Sequence, residues 1–207
     1  MNLTRRTLLA PALVCLTLNA LPLTKDECAK RITSLHTRIW GVDNLLLKPI
    51  TKADESDWRE LMNQVRTYVV QNGPSDADGW MKKLDGASTQ AITVRKVSYN
   101  FSIKKALETA DQVAGLDRLD PRKIKFNQFD AQKLAADNAR TLQSNLDDIQ
   151  TVKNDVDIQF KLIQSKTNVQ KQKDALDIMK RISLTLELTL QKLIKDGQDL
   201  SKASPAG

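Results

Sequence analysis

The sequence predicts an all-α fold: an up-and-down helical bundle of four to five helices that ends in a long C-terminal helix or a helical hairpin. Three observations predict it. Apolar residues recur at spacings of three and four through most of the chain, the period of a helix that buries one face. Glycine and proline number only 7 and 6 in 207 residues, too few for the turns of a many-stranded protein. Neither residue falls between positions 128 and 196, so no local signal breaks a helix there. With 41% hydrophobic and 28% charged residues, the composition is that of one globular domain able to bury a core without metal or disulfide staples.

Residues 1–20 read as an export signal. Arg5 and Arg6 form a positive leader, and an apolar run follows from Leu8 to Leu18, broken only by Pro11 and Thr17. Asn19-Ala20 then offers a small residue for cleavage. The run is shorter than the ~20 apolar residues that a membrane span needs. Thr4-Arg5-Arg6-Thr7-Leu8-Leu9 resembles a twin-arginine signal, although paired arginines also occur in ordinary secretory signals. Cys15 follows Val14, not the small residue that a lipoprotein signal wants. Once residues 1–20 are removed, Cys28 has no intrachain disulfide partner. It reads as a small buried hydrophobe, with an intermolecular disulfide as the sharper alternative.

The bundle domain is expected over 21–200. A first helix should run from about Asp26 to Leu47, with Cys28, Ile32, Leu35, Ile39, Val42 and Leu46 as its seam, and Pro49 should end it. A second should run from about Glu55 to Gln71, with Asp57 and Glu60 as a capping box and Trp58, Leu61, Val65, Tyr68 and Val69 as its stripe. Asn72-Gly73-Pro74 is a stop. A short helix from Asp76 to Leu84 should turn Trp80, Met81 and Leu84 inward. Ala91 to Ile103 supports two readings. Val97, Tyr99, Phe101 and Ile103 alternate as in a strand, while Val94, Val97 and Phe101 fit a helix, which a lone strand without a partner favours. Helix continues to Gly115 through Ala106, Leu107, Ala110 and Val113. Leu116 to Asn127 is a basic loop. From Gln128 the spacing holds through Ala135, Ala139, Leu142, Leu146, Ile149, Val152, Val156, Phe160 and Ile163. It lapses over Gln164 to Lys173 and resumes at Leu176, Met179, Ile182, Leu186, Leu190 and Leu193. Either this is one helix of ~100 Å, or it folds back in the polar stretch and so covers its own stripe. Residues 201–207 read as a disordered tail.

The residues argue against enzymology. The one histidine, His36, sits beside the seam, and one His with one Cys cannot make a usual zinc site. Asp76-Ala77-Asp78-Gly79 lacks the further ligands of a calcium loop and reads as a turn and helix cap. No Gly-rich phosphate loop, G-x-S-x-G or local nucleophile-and-base set occurs. Asp147, Asp148, Asp155 and Asp157 read as a solvated face. No cofactor and no metal are expected. Trp40, Trp58 and Trp80 read as packing anchors, with a surface binding role as the alternative.

The net charge is +7, and two of those positives are in the leader. Mixed charge elsewhere, as in Lys171-Gln172-Lys173-Asp174, argues against a nucleic-acid track. The most basic stretch holds Arg95, Lys96, Lys104, Lys105, Arg118, Arg122, Lys123 and Lys125, against Glu108, Asp111, Asp117 and Asp120. It is the candidate docking surface, for an acidic protein face or anionic headgroups; the plainer alternative is a solvated face and loop.

Ile39-Trp40-Gly41-Val42-Asp43-Asn44-Leu45-Leu46, then Trp58-Arg59 with Val65-Arg66 and Tyr68, resembles the first half of a PsbQ-type extrinsic subunit of photosystem II. Lys105 to Asp111 and Leu142 to Leu146 are similar to that family's later helices. The likeness covers roughly residues 26–150. The chain departs from the family in its extra helix after about 165, its longer insertion around Pro74 to Ser88, and the absence of a long plastid transit peptide before the arginines. The resemblance implies a non-catalytic, four-helix extrinsic protein of the thylakoid lumen that docks on a membrane complex and steadies it. The sequence therefore leads to a structural or assembly subunit peripheral to a membrane, in the thylakoid lumen or periplasm, partnered by a membrane protein complex or other envelope protein. Two alternatives stand beside it: a periplasmic or secreted helical adaptor of a bacterial secretion or conjugation apparatus, and a lipid-binding amphipathic bundle.

Overall fold

The computed structural model describes residues 24–42, 45, 48–114 and 128–202, and for 101–114, 128–132, 135 and 200–202 the backbone alone. It contains five helices and, among the described residues, no strand: α1 Lys25–Trp40, α2 Lys52–Asn72, α3 Ala77–Ala114, α4 Gln128–Ile163 and α5 Gln170–Lys202. The export signal, the loop from Leu116 to Asn127 and residues 203–207 lie outside the described residues.

The helices start where side chains satisfy the first backbone N–H groups. Thr24 caps α1 in a reciprocal box with Glu27, and Thr51 caps α2 in the same way with Asp54. The expected box at Asp57 and Glu60 is not the start of α2. Asp57 already lies within that helix and pairs with Arg38 of α1. Nor does α1 reach Leu47. It stops at Trp40, because Gly41 N–H turns back to the carbonyls of His36 and Thr37, at 3.0 and 3.2 Å. A Cβ at Gly41 would lie 2.5 Å from the Thr37 oxygen, so the close approach requires glycine. Val42 and Leu45 still turn inward from the connecting loop. They continue the apolar pattern without continuing the helix.

The two open questions of the sequence resolve. Ala91 to Ile103 is helical and belongs to α3, which also absorbs the short helix expected from Asp76 to Leu84. Val94 is buried and Val97 is exposed. The strand-like alternation that begins at Val97 and Tyr99 therefore marks no buried face at those two residues, which are exposed and half-buried. The stretch from 128 to 202 is a hairpin, turning at residues 164–169. Lys173 Nζ closes the turn by donating to the Gln164 carbonyl at 2.8 Å.

Ion pairs and hydrogen bonds fix the direction of each helix. Arg31 meets Glu60 and Arg38 meets Asp54, so α1 and α2 are antiparallel. Glu55 meets Lys96 and Arg66 meets Asp78 across α2 and α3. Lys83 meets Asp148 and Asn138 meets Ser98 across α3 and α4. Asp157 meets Lys180 and Lys153 meets Glu187 across the hairpin. The order is up, down, up, down, up. Among the described residues α5 packs against all four other helices, while the backbones of α1 to α4 approach only their chain neighbours and α5, with Arg95 of α3 reaching across to the end of α1. The hairpin's last helix is thus the centre of the molecule, with the others arranged around it. Ala175, Leu176, Ile178, Met179, Ile182, Leu186, Leu190 and Leu193 are essentially inaccessible. Every seam residue expected for α5 is among them.

Candidate functional site

The end of the bundle where α1 gives way to the loop before α2 is organised around Arg95 on α3. Its guanidinium is buried and points into the loop. Nε donates to the Leu45 carbonyl at 3.0 Å and the Lys48 carbonyl at 3.3 Å, and Nη1 donates to the carbonyl of Ile39. Carbonyls at a helix C-terminus carry the negative end of the dipole and have no helical donor. One arginine therefore stands in for the missing turn of α1. Burial holds the guanidinium below its ordinary pKa, against the opposing attraction of Asp54. The Trp40 ring lies 5.6 Å from Arg95 Cζ, within cation–π range. Trp40 meets Trp58 edge to face at 6.0 Å between centroids, and the Trp58 indole N–H donates to Ser88 Oγ on α3. From the other side, Asp196 of α5 accepts from the Leu45 N–H at 3.1 Å.

Arg95 therefore leaves the expected docking surface: its charge is 2% exposed and spent on backbone carbonyls. The reason is steric and electrostatic. A helix end without a donor sits opposite position 95, and no apolar residue could satisfy it. Lys96, one residue on, is exposed and bonds Glu55 at 2.7 Å. Lys104 and Lys105 belong to α3, whose side chains beyond residue 100 lie outside the described residues, as do Arg118, Arg122, Lys123 and Lys125 altogether. Trp40, Trp58 and Trp80 are all buried, so they act as anchors and not as surface contacts. His36 is half-buried, and burial lowers its pKa. Cys28 is buried and free, its thiol pushed up in pKa by burial despite the nearby Arg31. That placement fits the packing role and leaves no exposed sulfur for an intermolecular bridge.

A shallow groove of about 680 Å³ runs between the start of α3 and the outer face of α4, lined by Asp76, Asp78, Trp80, Lys83, Asp155 and Ile158, among others. Two of its four charged side chains are already paired. Asp78 accepts from Arg66 at 2.7 Å and Lys82 at 2.9 Å, which hold its carboxyl below the usual range. Lys83 meets Asp148 at 3.1 Å. Among the described residues no three His, Cys, Asp or Glu side chains converge in metal-binding geometry, and no helix is long and apolar enough to cross a membrane.

Sequence reasoning missed the Arg95 node. Its one available signal was Arg95 among helix residues directed inward, in the repeat Ala91, Ile92, Val94. No family model, curated protein or solved structure matches the chain.

Proposed function

We propose that the protein is a non-catalytic structural or assembly subunit that docks, after export, on the lumenal or periplasmic face of a membrane protein complex, as PsbQ-type extrinsic subunits do. One observation carries the reading: positive charge gathers at Lys104, Lys105, Arg118, Arg122, Lys123 and Lys125, on the end of α3 and the link to α4, while the rest of the chain is mixed in sign. The export-signal pattern around Arg5 and Arg6 supports the compartment. The surroundings of Arg95 support a narrower docking stretch, since that residue is committed to the α1 end and is not needed outside.

Attraction of this kind is long-ranged and screened over ~10 Å at 0.1 M salt. Changing Arg118, Arg122, Lys123 and Lys125 together to Glu should release the protein from native membranes, and a salt wash should release the unaltered protein. Far-ultraviolet circular dichroism that stays unchanged would show that the reversals act on docking and not on the fold. Membrane association that resists both the reversals and the salt would sink the reading.

A further inference from the structure

The groove between the start of α3 and the outer face of α4 leaves chemistry unmet on both walls. On the α4 wall Ile158 and Leu162, one turn apart, are 55% and 61% exposed, and they form one apolar spot. The otherwise buried Trp80 of α3 lines the groove with Ile158. On the α3 wall Gly79, Lys83 and Gly86 follow at spacings of four and three and so share a face. A Cβ at either glycine would meet nothing within 4 Å. No contact inside the chain calls for glycine there, although glycine weakens a helix relative to alanine. The two leave shallow notches, two turns apart, where a second backbone can lie close.

Charge decides what that backbone carries. The antiparallel pairing of Lys83 with Asp148 sets Asp76 level with Asp155 across the groove. Asp76 is exposed and Asp155 half-buried, and neither holds an ion pair among the described residues. Asp147, three turns before Ile158 on the same side of α4, accepts from Gln143 and holds no ion pair among those residues either. The cations of the walls are already engaged: Lys83 by Asp148, and Arg66 and Lys82 by Asp78. The unpaired cations that follow on α4 and its turn, Lys161 and Lys166, stand past Ile158 toward the end of the hairpin. The free charge of the groove is therefore negative at the level of Asp76 and Asp155, and the surface turns apolar toward Leu162.

We infer that this groove is the docking site of an amphipathic basic helix from a partner protein. The helix lies along the glycine notches of α3. Its lysines or arginines meet Asp76, Asp155 and Asp147, and its apolar side chains cover Ile158 and Leu162, the i and i+4 anchors of a helix seated in a groove. The level of Gly86 and that of Leu162 are roughly 25 Å apart along the bundle, the length of about 17 helical residues. The groove lies at the opposite end of α3 from Lys104 and Lys105, so neither this surface nor the basic docking stretch depends on the other.

Isothermal titration calorimetry of the full chain tests it. The probe is a synthetic helix of about 18 residues, with leucine on one face and lysine on the other. Saturable one-to-one binding is expected, and none by the same helix carrying glutamate in place of lysine. Asp76→Lys with Asp155→Lys should weaken binding about tenfold or more, and Ile158→Ser by a comparable factor. Gly86→Leu fills a notch while improving helix propensity, so binding lost there would not reflect lost fold. No binding by the lysine helix overturns the inference. Binding that ignores the reversals, or that ignores both Ile158→Ser and Gly86→Leu, overturns it too, because plain charge attraction needs no groove. So does binding that appears only once residues 1–20 are removed, which would make the leader the occupant. Self-association of the full chain in sedimentation velocity, abolished by Asp76→Lys with Asp155→Lys, would make the occupant a second copy and overturn it likewise.

Discussion

At the scale of single residues, the molecule separates packing from satisfaction, and the two buried indoles of the α1 end show the difference. Trp58 donates its N–H to Ser88, whereas the Trp40 N–H is buried without a partner. Trp58→Phe would strand a buried hydroxyl as well as shrink a ring. Trp40→Phe shrinks a ring but removes an unpaired donor. Chemical denaturation should therefore find Trp58→Phe more costly than Trp40→Phe by about 1–2 kcal/mol. Equal costs would mean that the Ser88 bond contributes nothing. Arg95→Met should cost about 3 kcal/mol, because it leaves carbonyls of Ile39, Leu45 and Lys48 without a donor. Arg95→Lys should recover only part, since an ammonium lacks the planar fork that reaches several carbonyls. The role of Arg95 was barely legible in the sequence, where its one signal is a place among inward-directed helix residues. A charge carries no hydrophobic period, so Arg95 reads as one more member of a basic surface until its neighbours in space are known. The tryptophans were legible as anchors because each falls on an apolar stripe, but which of them would be satisfied depends on Ser88, thirty residues away in the chain.

At the scale of elements, seams were readable and boundaries were not. The α5 seam is buried throughout and the α4 seam is buried at Leu142, Leu146, Ile149, Val152, Val156 and Ile163, because spacing of three and four is the direct imprint of a buried helix face. The end of α1 escaped because Val42 and Leu45 keep the apolar rhythm after the helix has stopped, so that the deciding event is the backbone turn at Gly41. The start of α2 escaped because two acid-bearing candidates lie close together, and only Thr51 has its side chain on the N–H of Asp54, at 3.0 Å. That assignment has a consequence. Thr51→Ala should destabilise the protein by about 1 kcal/mol, and Thr24→Ala by a similar amount at α1. Asp57→Ala should cost less than either, since it loses a surface pair with Arg38 and no cap. An Asp57→Ala midpoint lower than that of Thr51→Ala in urea would restore the box that the sequence first suggested.

At the scale of the whole molecule, the last helix is the structural centre, and this governs how stability responds to acid and to mutation. Burial tends to raise the Asp54 and Asp177 carboxyls, but hydrogen bonds from Thr51 and Arg38 in one case, and from Arg181 and Lys25 in the other, outweigh it and hold both low. Lys96 first, then Arg59, holds Glu55 low. These groups bind protons more readily unfolded, where their pKa values are about 4. Their contribution is complete above that range and is lost as pH falls through the lower native values. His36 acts in the same direction: burial lowers its native pKa, so charging it below about pH 6.5 costs stability. Stability should decline on acidification, first gently and then steeply below about pH 4. The ion pairs joining α5 to α1 through Asp177 weaken in that second range. The central position of α5 predicts where the remaining structure persists. Amides of Leu176 to Leu193 face every other helix and can open only when the bundle does, so hydrogen exchange there should report the global unfolding free energy. Amides of α1, which packs along α2 and α5 and meets α3 only at its C-terminal end through Arg95, should exchange through smaller openings. Leu186→Ala, at the middle of α5 and fully buried, should cost about 2–5 kcal/mol and lower protection in all five helices together. If α1 instead matched α5 in protection, or if Leu186→Ala loosened α4 and α5 alone, the hairpin would be a unit of its own, and the central role assigned to α5 would be wrong.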